Sequence, residues 1–241
     1  GQLWGNPLYD YETMAADGYD WWVQRFRFGM TLVDEVRIDH FRGFEAFWAV
    51  PAQAETAKDG VWKKGPGLEL FRAVYQKLGH IPLIAEDLGI ITDDVCELRE
   101  TLRLPGMKVL QFHMTERTDG VFSLDTEPSC LVYTGTHDNN TTLGWYTEDL
   151  TPSQQLQVRQ AMHVGENTSP QEIVRALITY VYRRRAETAV IPMQDLLGLP
   201  SSCRMNIPGV SQGNWHWQMD EGMLKFDIAK WLSALCKQYK R

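Results

Sequence analysis

Three short apolar segments of this sequence are followed by acidic residues. Asp39 and Glu86 each come directly after such a segment, and Asp138 comes one short turn after another. Cleavage of a glycosidic bond with retention needs one carboxylate to attack the anomeric carbon and one acid to protonate the leaving oxygen, about 5 to 5.5 Å apart. Asp39 and Glu86 could meet that distance on neighbouring strands. Asp138 could then hydrogen-bond sugar hydroxyls and help to hold a distorted ring.

The residues around these acids allow both a functional and a structural interpretation. Strand alternation puts Arg37 on the same face as Asp39, where its guanidinium would favour a carboxylate that can act as a nucleophile. A purely structural ion pair is the alternative. The same alternation points Glu86 inward as the general acid and turns Asp87 away, to brace the following turn. For Asp138, the alternative is a turn rich in Asn and Thr.

Short apolar segments alternate with helical segments along the chain, which predicts strand-helix units around a parallel sheet. The predicted strands span residues 33–38, 82–85, 107–112, 130–134 and 189–192. The predicted helices span residues 68–78, 94–102 and 222–239, with Gly79 as the cap of the first. Two further helices begin at Thr151 and Ser169, since each of these hydroxyl N-caps precedes Pro and a Gln or Glu at the third position. Residues 53–67 are predicted to be a loop over the sheet.

A TIM (β/α)8 barrel contains eight strands. The sequence therefore predicts an α/β fold in which about five strands form part of such a barrel, of the α-amylase-like type. We expect residues 1–241 to be the C-terminal part of one catalytic barrel domain, without an internal boundary.

Composition and charge exclude several classes of partner. The formal charge of -7 argues against nucleic acid, and the basic segment 183–185 is predicted to be a solvated helix end. We expect no membrane partner, because no run of about 18 apolar residues is present. The four Cys are far apart in the sequence and are expected to be free thiols in a reducing compartment. The expected location is the cytoplasm, or a plastid if the source is a plant or alga.

Five stretches of the sequence together resemble one known family. They are residues 1–9 (GQLWGNPLY), 37–43 (RIDHFRG), 85–89 (AEDLG), 135–139 (GTHDN) and 204–209 (RMNIPG). In this order they resemble the amylomaltases, or disproportionating 4-α-glucanotransferases, among the α-amylase-like barrel enzymes. The resemblance implies that Asp39 is the nucleophile, Glu86 the acid and base, and Asp138 the transition-state stabiliser.

The resemblance also implies residues that bind substrate. Those expected to contact the sugar at the cleaved bond are Arg37, His40 and His137, and further cleft positions are Gln2, Trp4 and Asn206. For Trp4 and for the segment 215–217, which contains Trp215 and Trp217, packing in the core or a loop is the alternative.

The activity that the resemblance implies is transfer of α-1,4-glucan segments through a covalent glycosyl-enzyme, with no metal and no other cofactor. The partners would be malto-oligosaccharides and α-1,4-glucans derived from starch or glycogen. Members of the family are about twice as long as this chain, so we expect a missing N-terminal barrel segment to complete the site. The chain alone is then predicted to be inactive or weakly folded.

Three other functions are compatible with parts of the pattern. One is an α-glucan hydrolase of the amylase type. Another is a metal-dependent hydrolase with Asp39, His40 and Glu86 among its ligands, which is disfavoured because the sequence has no H-x-H or H-E-x-x-H spacing. The third is a non-catalytic glucan-binding module.

Overall fold

Short strands and helices alternate along most of the chain. A computed structural model describes residues 2–114 and 124–241, so Gly1 of the first motif lies outside the described residues. In chain order the elements are α1 (Tyr11–Ala16), α2 (Asp20–Gly29), β1 (Val36–Ile38), β2 (Ala46–Ala49), β3 (Val61–Lys64), α3 (Gly67–Leu78), β4 (Leu83–Ala85), α4 (Asp93–Thr101), β5 (Met107–Val109), α5 (Leu110–His113), β6 (Leu131–Tyr133), α6 (Thr142–Gly144), α7 (Pro152–Met162), α8 (Pro170–Tyr182), β7 (Thr188–Val190), α9 (Met193–Leu196) and α10 (Phe226–Tyr239). Single 3-10 turns lie at Phe41–Phe44, Ala57–Asp59, Ser201–Cys203 and Glu221–Met223, and a π-helical turn lies at Trp145–Asp149.

Contacts group the chain into two compact units, Gly1–Met107 and Lys108–Arg241. In the first unit, β1 and β4 pair in parallel, with Ile38 opposite Ala85. The antiparallel pair of β2 and β3 was not predicted, and it corrects the assignment of residues 53–67 as a loop throughout. Strand β3 was missed because all of its residues are exposed, so its sequence carries no alternation of buried and exposed positions.

The core of the first unit lies between β1, β4 and helices α2, α3 and α4. Helix α3 buries Leu70, Phe71 and Val74 completely, which is the apolar stripe of an amphipathic helix. It ends at the predicted glycine cap, where Gly79 has a φ of 74° and donates its N–H to the carbonyl of Tyr75. Full burial of a large apolar side chain stabilises by about 1.5–3 kcal/mol, so this stripe is sufficient to fix α3 against the strands.

The second unit contains a sheet of order β5, β6, β7, in which β6 and β7 are parallel. Both predicted capping boxes are present: Thr151 caps α7 and Ser169 caps α8. Helix α8 buries Ile173, Leu177 and Val181 completely in one cluster of apolar side chains. The adjacent face, which carries Val174 and Ile178, packs against α10 in a second cluster.

All five predicted strands are found, each shorter than expected. The largest difference is at β5, where the chain turns into helix α5 at Leu110 instead of continuing as a strand to residue 112. The α/β class with parallel pairing is thus confirmed. The eight-stranded barrel and the single domain without a boundary stay predictions.

Two further expectations can be compared with the structure. Cys96, Cys130, Cys203 and Cys236 are free thiols. Arg183 and Arg185 are exposed at the end of α8, as expected for a solvated helix end, whereas Arg184 is only partly exposed and its guanidinium lies 4.0 Å from the ring centre of Tyr180. Within residues 2–114 and 124–241, no helix is both long enough and apolar enough to cross a membrane.

Candidate active site

Asp39 and Glu86 follow the ends of two paired parallel strands. Because Ile38 faces Ala85 in the β1–β4 register, the next residue on each strand is an acid. The pairing continues past the strands: Glu86 donates its N–H to the carbonyl of Ile38 at 2.9 Å, and Phe41 donates to the carbonyl of Glu86 at 3.0 Å. Adjacent strands lie about 4.8 Å apart. The backbone therefore brings the two predicted catalytic acids of this unit together.

The carboxylate of Glu86 is held by the backbone on both sides. Oε2 accepts the N–H of His40 at 2.7 Å, and Oε1 accepts the N–H of Leu88 at 2.9 Å. His40 has a left-handed conformation (φ 50°, ψ 51°), which is uncommon for a residue other than glycine. The surroundings of Glu86 are thus more polar than its apolar strand suggested. Each carboxyl oxygen has two lone pairs, so each keeps one for a proton or a ligand.

Asp39 is the exposed member of this pair. The guanidinium of Arg37 lies 3.1 Å from Oδ1 of Asp39, as strand alternation predicted, and the Asp39 side chain is 78% exposed. Arg37 is itself oriented by Met107, whose sulfur lies 3.3 Å from Nε. A carboxylate that is oriented from one side and open to solvent can reach a ligand.

Asp87, although adjacent to Glu86, has a structural environment. Its Oδ1 accepts the N–H of Met107 at 2.7 Å, and its Oδ2 lies 3.4 Å from Nε of Arg99. The two side chains are only 8% and 9% exposed. Asp87 therefore braces the turn, which is the role the sequence favoured.

The second unit presents Asp138 in the loop after β6. Its Oδ1 accepts a hydrogen bond from Nδ2 of Asn206 at 2.6 Å, and its Oδ2 lies 3.4 Å from Nε2 of His137. The backbone of the loop is held as well: Asn206 donates its N–H to the carbonyl of His137, and Arg204 donates to the carbonyl of Asp138. Three residues predicted for the site, His137, Asp138 and Asn206, are thus in direct contact.

Arg204 and Trp215 also belong to this cluster, although the sequence alone does not establish a site role for either. Arg204 is the first residue of the motif at positions 204–209, but the sequence predicts no role for it. It also donates from Nε to the carbonyl of Asn206 at 2.8 Å. The Trp215 ring lies 5.2 Å from the His137 ring and is 58% exposed, so core packing does not explain it. Its positive φ of 63° turns the chain so that its N–H reaches the carbonyl of Met205.

Gln2 and Trp4 lie together near the start of the chain. The indole N–H of Trp4 donates to Oε1 of Gln2 at 3.0 Å, and Trp4 is 56% exposed. Within the described residues Trp4 is therefore not packed in a core, and packing in a loop stays open as the alternative. Its role in a sugar cleft stays a prediction.

The described residues give two sets of groups suited to a polar ligand. The first unit supplies Asp39 with Arg37 and Glu86 with the His40 backbone, and the second supplies Asp138 with His137 and Asn206. Convergence of the three acids on one ligand stays a prediction. Among residues 2–114 and 124–241, no group of three or more His, Cys, Asp or Glu side chains is arranged to hold a metal ion.

Comparison with known proteins gives one consistent result. A protein-family model described as 4-alpha-glucanotransferase matches residues 1–224. The chain is 45% identical, over 243 residues, to a 4-alpha-glucanotransferase of Streptococcus pneumoniae, covering 100% of this chain and 47% of that protein. It is 47% identical, over 220 residues, to the chloroplastic/amyloplastic 4-alpha-glucanotransferase of Solanum tuberosum, covering 91% of this chain and 38% of that protein. The solved amylomaltase from Streptococcus agalactiae in complex with acarbose superimposes with a TM-score of 0.93 at 35% identity, covering 100% of this chain and 48% of that one. The chain thus spans about half the length of the curated relatives it matches.

Proposed function

The chain belongs to the 4-alpha-glucanotransferase family, and on that basis we propose that the whole protein transfers α-1,4-glucan segments between malto-oligosaccharides by a retaining mechanism. The observation that carries the proposal is the β1–β4 register, which ends two neighbouring parallel strands in Asp39 and Glu86. Two carboxyl groups on adjacent strands suit the short separation of a retaining pair.

In the first step Asp39 attacks the anomeric carbon and Glu86 gives its proton to the leaving glycosidic oxygen, so that one glucan is released and the other is esterified to Asp39. In the second step Glu86 takes the proton of an acceptor 4-hydroxyl, whose oxygen displaces Asp39 and restores the α-linkage. Arg37 would orient Asp39, and the N–H groups of His40 and Leu88 would orient Glu86. Acid-base chemistry of this kind requires no metal.

Asp138 would hydrogen-bond sugar hydroxyls and stabilise the transition state. Contacts to Asn206 and His137 hold it on two sides, and the exposed ring of Trp215 beside His137 is a surface on which a sugar can stack. Gln2 and Trp4 would extend the cleft. The complex of the Streptococcus agalactiae relative with acarbose supports a saccharide ligand.

The finer architecture belongs to the same proposal. We place this chain in a single α-amylase-like (β/α)8 barrel domain, to which it contributes about five strands while an N-terminal segment supplies the rest. The substrates would be α-1,4-glucans derived from starch or glycogen, in the cytoplasm of a bacterium or in a plastid. Relatives of both kinds support this.

Incubation of the full-length protein with maltotriose tests the proposal. Glucose together with longer oligosaccharides is the expected result, because one glucan must act as donor and another as acceptor. Asp39→Asn should abolish both products, while the exposed control Asp94→Asn should leave them unchanged. Reducing ends that rise without longer products would indicate a hydrolase.

Two further outcomes would contradict parts of the proposal. Maltodextrin binding that survives Glu86→Gln, in a protein that forms no products even as the wild type, would indicate a non-catalytic binding module. Efficient disproportionation by the isolated 241-residue chain would show that no further barrel segment is needed.

A further inference from the structure

A buried carboxylate outside the predicted site holds both ends of the loop that carries Asp138. Asp195, in helix α9 just after β7, is 2% exposed. Its Oδ2 accepts the hydroxyl of Thr134, at the end of β6, at 2.5 Å. It also accepts the hydroxyl of Thr142, where α6 begins, at 2.7 Å, and Oδ1 accepts the Thr142 N–H at 2.6 Å. The Asp195 side chain thus bonds to both the first and the last residue of the loop, Thr134 and Thr142.

Because Asp195 and its two threonine partners are buried, losing any of their hydrogen bonds is costly in free energy. Burial raises the pKa of Asp195, while the hydrogen bonds from Thr134 and Thr142 oppose that shift. Both threonines are completely buried. A buried hydroxyl or carboxylate that loses its partner costs about 1–3 kcal/mol, so the three groups depend on one another.

The same loop is supported from the strand on the other side of β6. Gln111, in helix α5 after β5, is 4% exposed and donates from Nε2 to the carbonyl of Asn140 at 3.0 Å. Its Nε2 also lies 3.4 Å from the hydroxyl of Thr142. A Cβ on Gly135 would come within 2.7 Å of Gln111 Nε2, so glycine allows this close approach. In the sheet order β5, β6, β7, the loop after the middle strand is therefore braced by both of its neighbours.

We propose that Asp195 and Gln111 are positioning residues that fix residues 134–142 so that Asp138 is presented to substrate. This inference rests on the proposed function for the role of Asp138, and on contacts alone for the placement of the loop. Asp195 is 2% exposed, and both of its carboxyl oxygens accept hydrogen bonds from Thr134 or Thr142. It acts by removing the alternative loop shapes that would move Asp138 away.

Two substitutions remove the brace in different ways. Asp195→Asn keeps the size of the side chain, but its NH2 cannot accept the two buried hydroxyl hydrogens. Thr142→Val keeps the shape and removes the hydroxyl that joins Asp195 to Gln111, whereas Thr142→Ser retains that hydroxyl and is the matched control. Thermal unfolding of each variant checks that it is folded.

Hydrogen exchange of the full-length protein, followed by mass spectrometry, tests placement without any turnover. In Asp195→Asn and Thr142→Val, exchange in the peptide covering residues 134–142 should rise roughly 10- to 100-fold, the factor for losing a hydrogen bond to a charged group. Exchange in helix α3 and in Thr142→Ser should be unchanged. Unchanged exchange in residues 134–142 of both variants would overturn the proposal, whatever the protein catalyses.

Kinetics with maltotriose test the link to Asp138. A displacement of about 1 Å can cost about 100-fold in rate, so we expect a loss of that order in kcat for Asp195→Asn, with KM little changed. In the Asp138→Asn background the same substitution should cause no further loss. An equal loss in both backgrounds would show that Asp195 serves stability alone. A wild type without transfer products would refute the proposed function and leave the exchange result to decide the placement.

Discussion

Glu86 and Asp87 are adjacent acids, and we expect substitution of Glu86 to affect mainly activity and substitution of Asp87 to affect mainly stability. Glu86 is held by the N–H groups of His40 and Leu88, at the end of a strand beside Asp39. Asp87 lies on the other side of the chain, with its side chain 8% exposed and paired with Arg99. The isosteric substitutions Glu86→Gln and Asp87→Asn change one carboxyl each and leave every other atom in place.

The structure sets the size of each effect. Removing one partner of a buried ion pair costs about 3–5 kcal/mol. The new amide oxygen of Asp87→Asn can still accept the N–H of Met107, so we expect the lower end, about 3 kcal/mol. In a protein of about 150–250 residues each kcal/mol lowers Tm by about 2–4 °C. The full-length protein is expected to be about twice as long, so the shift per kcal/mol is about half as large and the expected decrease is roughly 3–6 °C. For Glu86→Gln, loss of the general acid and base should lower kcat by about 100- to 10,000-fold.

Two measurements on the full-length protein distinguish the roles. Calorimetry should show a larger decrease in Tm for Asp87→Asn, which breaks a buried ion pair, than for Glu86→Gln, whose amide oxygen still accepts one of the two N–H groups. Maltotriose turnover, measured well below the Tm of each variant, should be retained in Asp87→Asn and lost in Glu86→Gln. If Asp87→Asn lost its activity at an unchanged Tm, the assignment of the two acids from burial would be refuted.

Three further predictions concern stability. Thr151→Ala removes a capping-box hydroxyl from α7 and should cost about 1 kcal/mol in urea unfolding. Leu177→Ala, at a completely buried position, should cost about 2–5 kcal/mol, whereas Leu156→Ala, at a position that is 48% exposed, should stay within about 0.5 kcal/mol. Because burial raises the pKa of Asp195, folding favours its protonated form, so the stability that comes from this proton is complete below the unfolded pKa of about 3.9 and is lost as pH rises through the folded value, while the hydrogen bonds that Asp195 accepts remain. The Tm advantage of wild type over Asp195→Asn should therefore shrink above about pH 4, and a constant difference would contradict the assignment.

Features governed by neighbouring residues could be predicted from the sequence. The capping boxes at Thr151 and Ser169 depend on groups three residues apart, and both are present. The ion pair of Arg37 with Asp39 follows from strand alternation alone. Local patterns of this kind also identified the five strands β1, β4, β5, β6 and β7.

Elements without a local signal were missed. Helix α2 begins after Tyr19, which is in a left-handed conformation and supplies no capping side chain. Helix α10 begins at Phe226 rather than at residue 222, because a 3-10 turn at Glu221–Met223 precedes it. The apolar residues of β5 and α5 form one continuous segment, in which periodicity cannot distinguish strand from buried helix.

The brace of the Asp138 loop illustrates what a sequence pattern cannot contain. Asp195 bonds to partners 61 and 53 residues away, and no spacing rule connects them. In the sequence Asp195 is a single acid among apolar residues, followed by two leucines. Such a residue can be a cap, a brace or a catalyst, and only its partners decide.

Burial, rather than position on a strand, separates four aspartates of the described residues into two groups. Asp39 and Asp138 have side chains that are 78% and 47% exposed; Arg37 contacts one oxygen of Asp39, and Asn206 and His137 contact the two oxygens of Asp138. Asp87 has a side chain 8% exposed and Asp195 is 2% exposed, and both oxygens of each accept bonds or an ion pair from the protein. A buried carboxylate is stable only when the protein satisfies it, and one that is satisfied has little capacity left for a ligand. The exposed Asp39 and Asp138 therefore keep capacity for a ligand, whereas Asp87 and Asp195 serve the structure, Asp195 by holding both ends of the loop that carries Asp138.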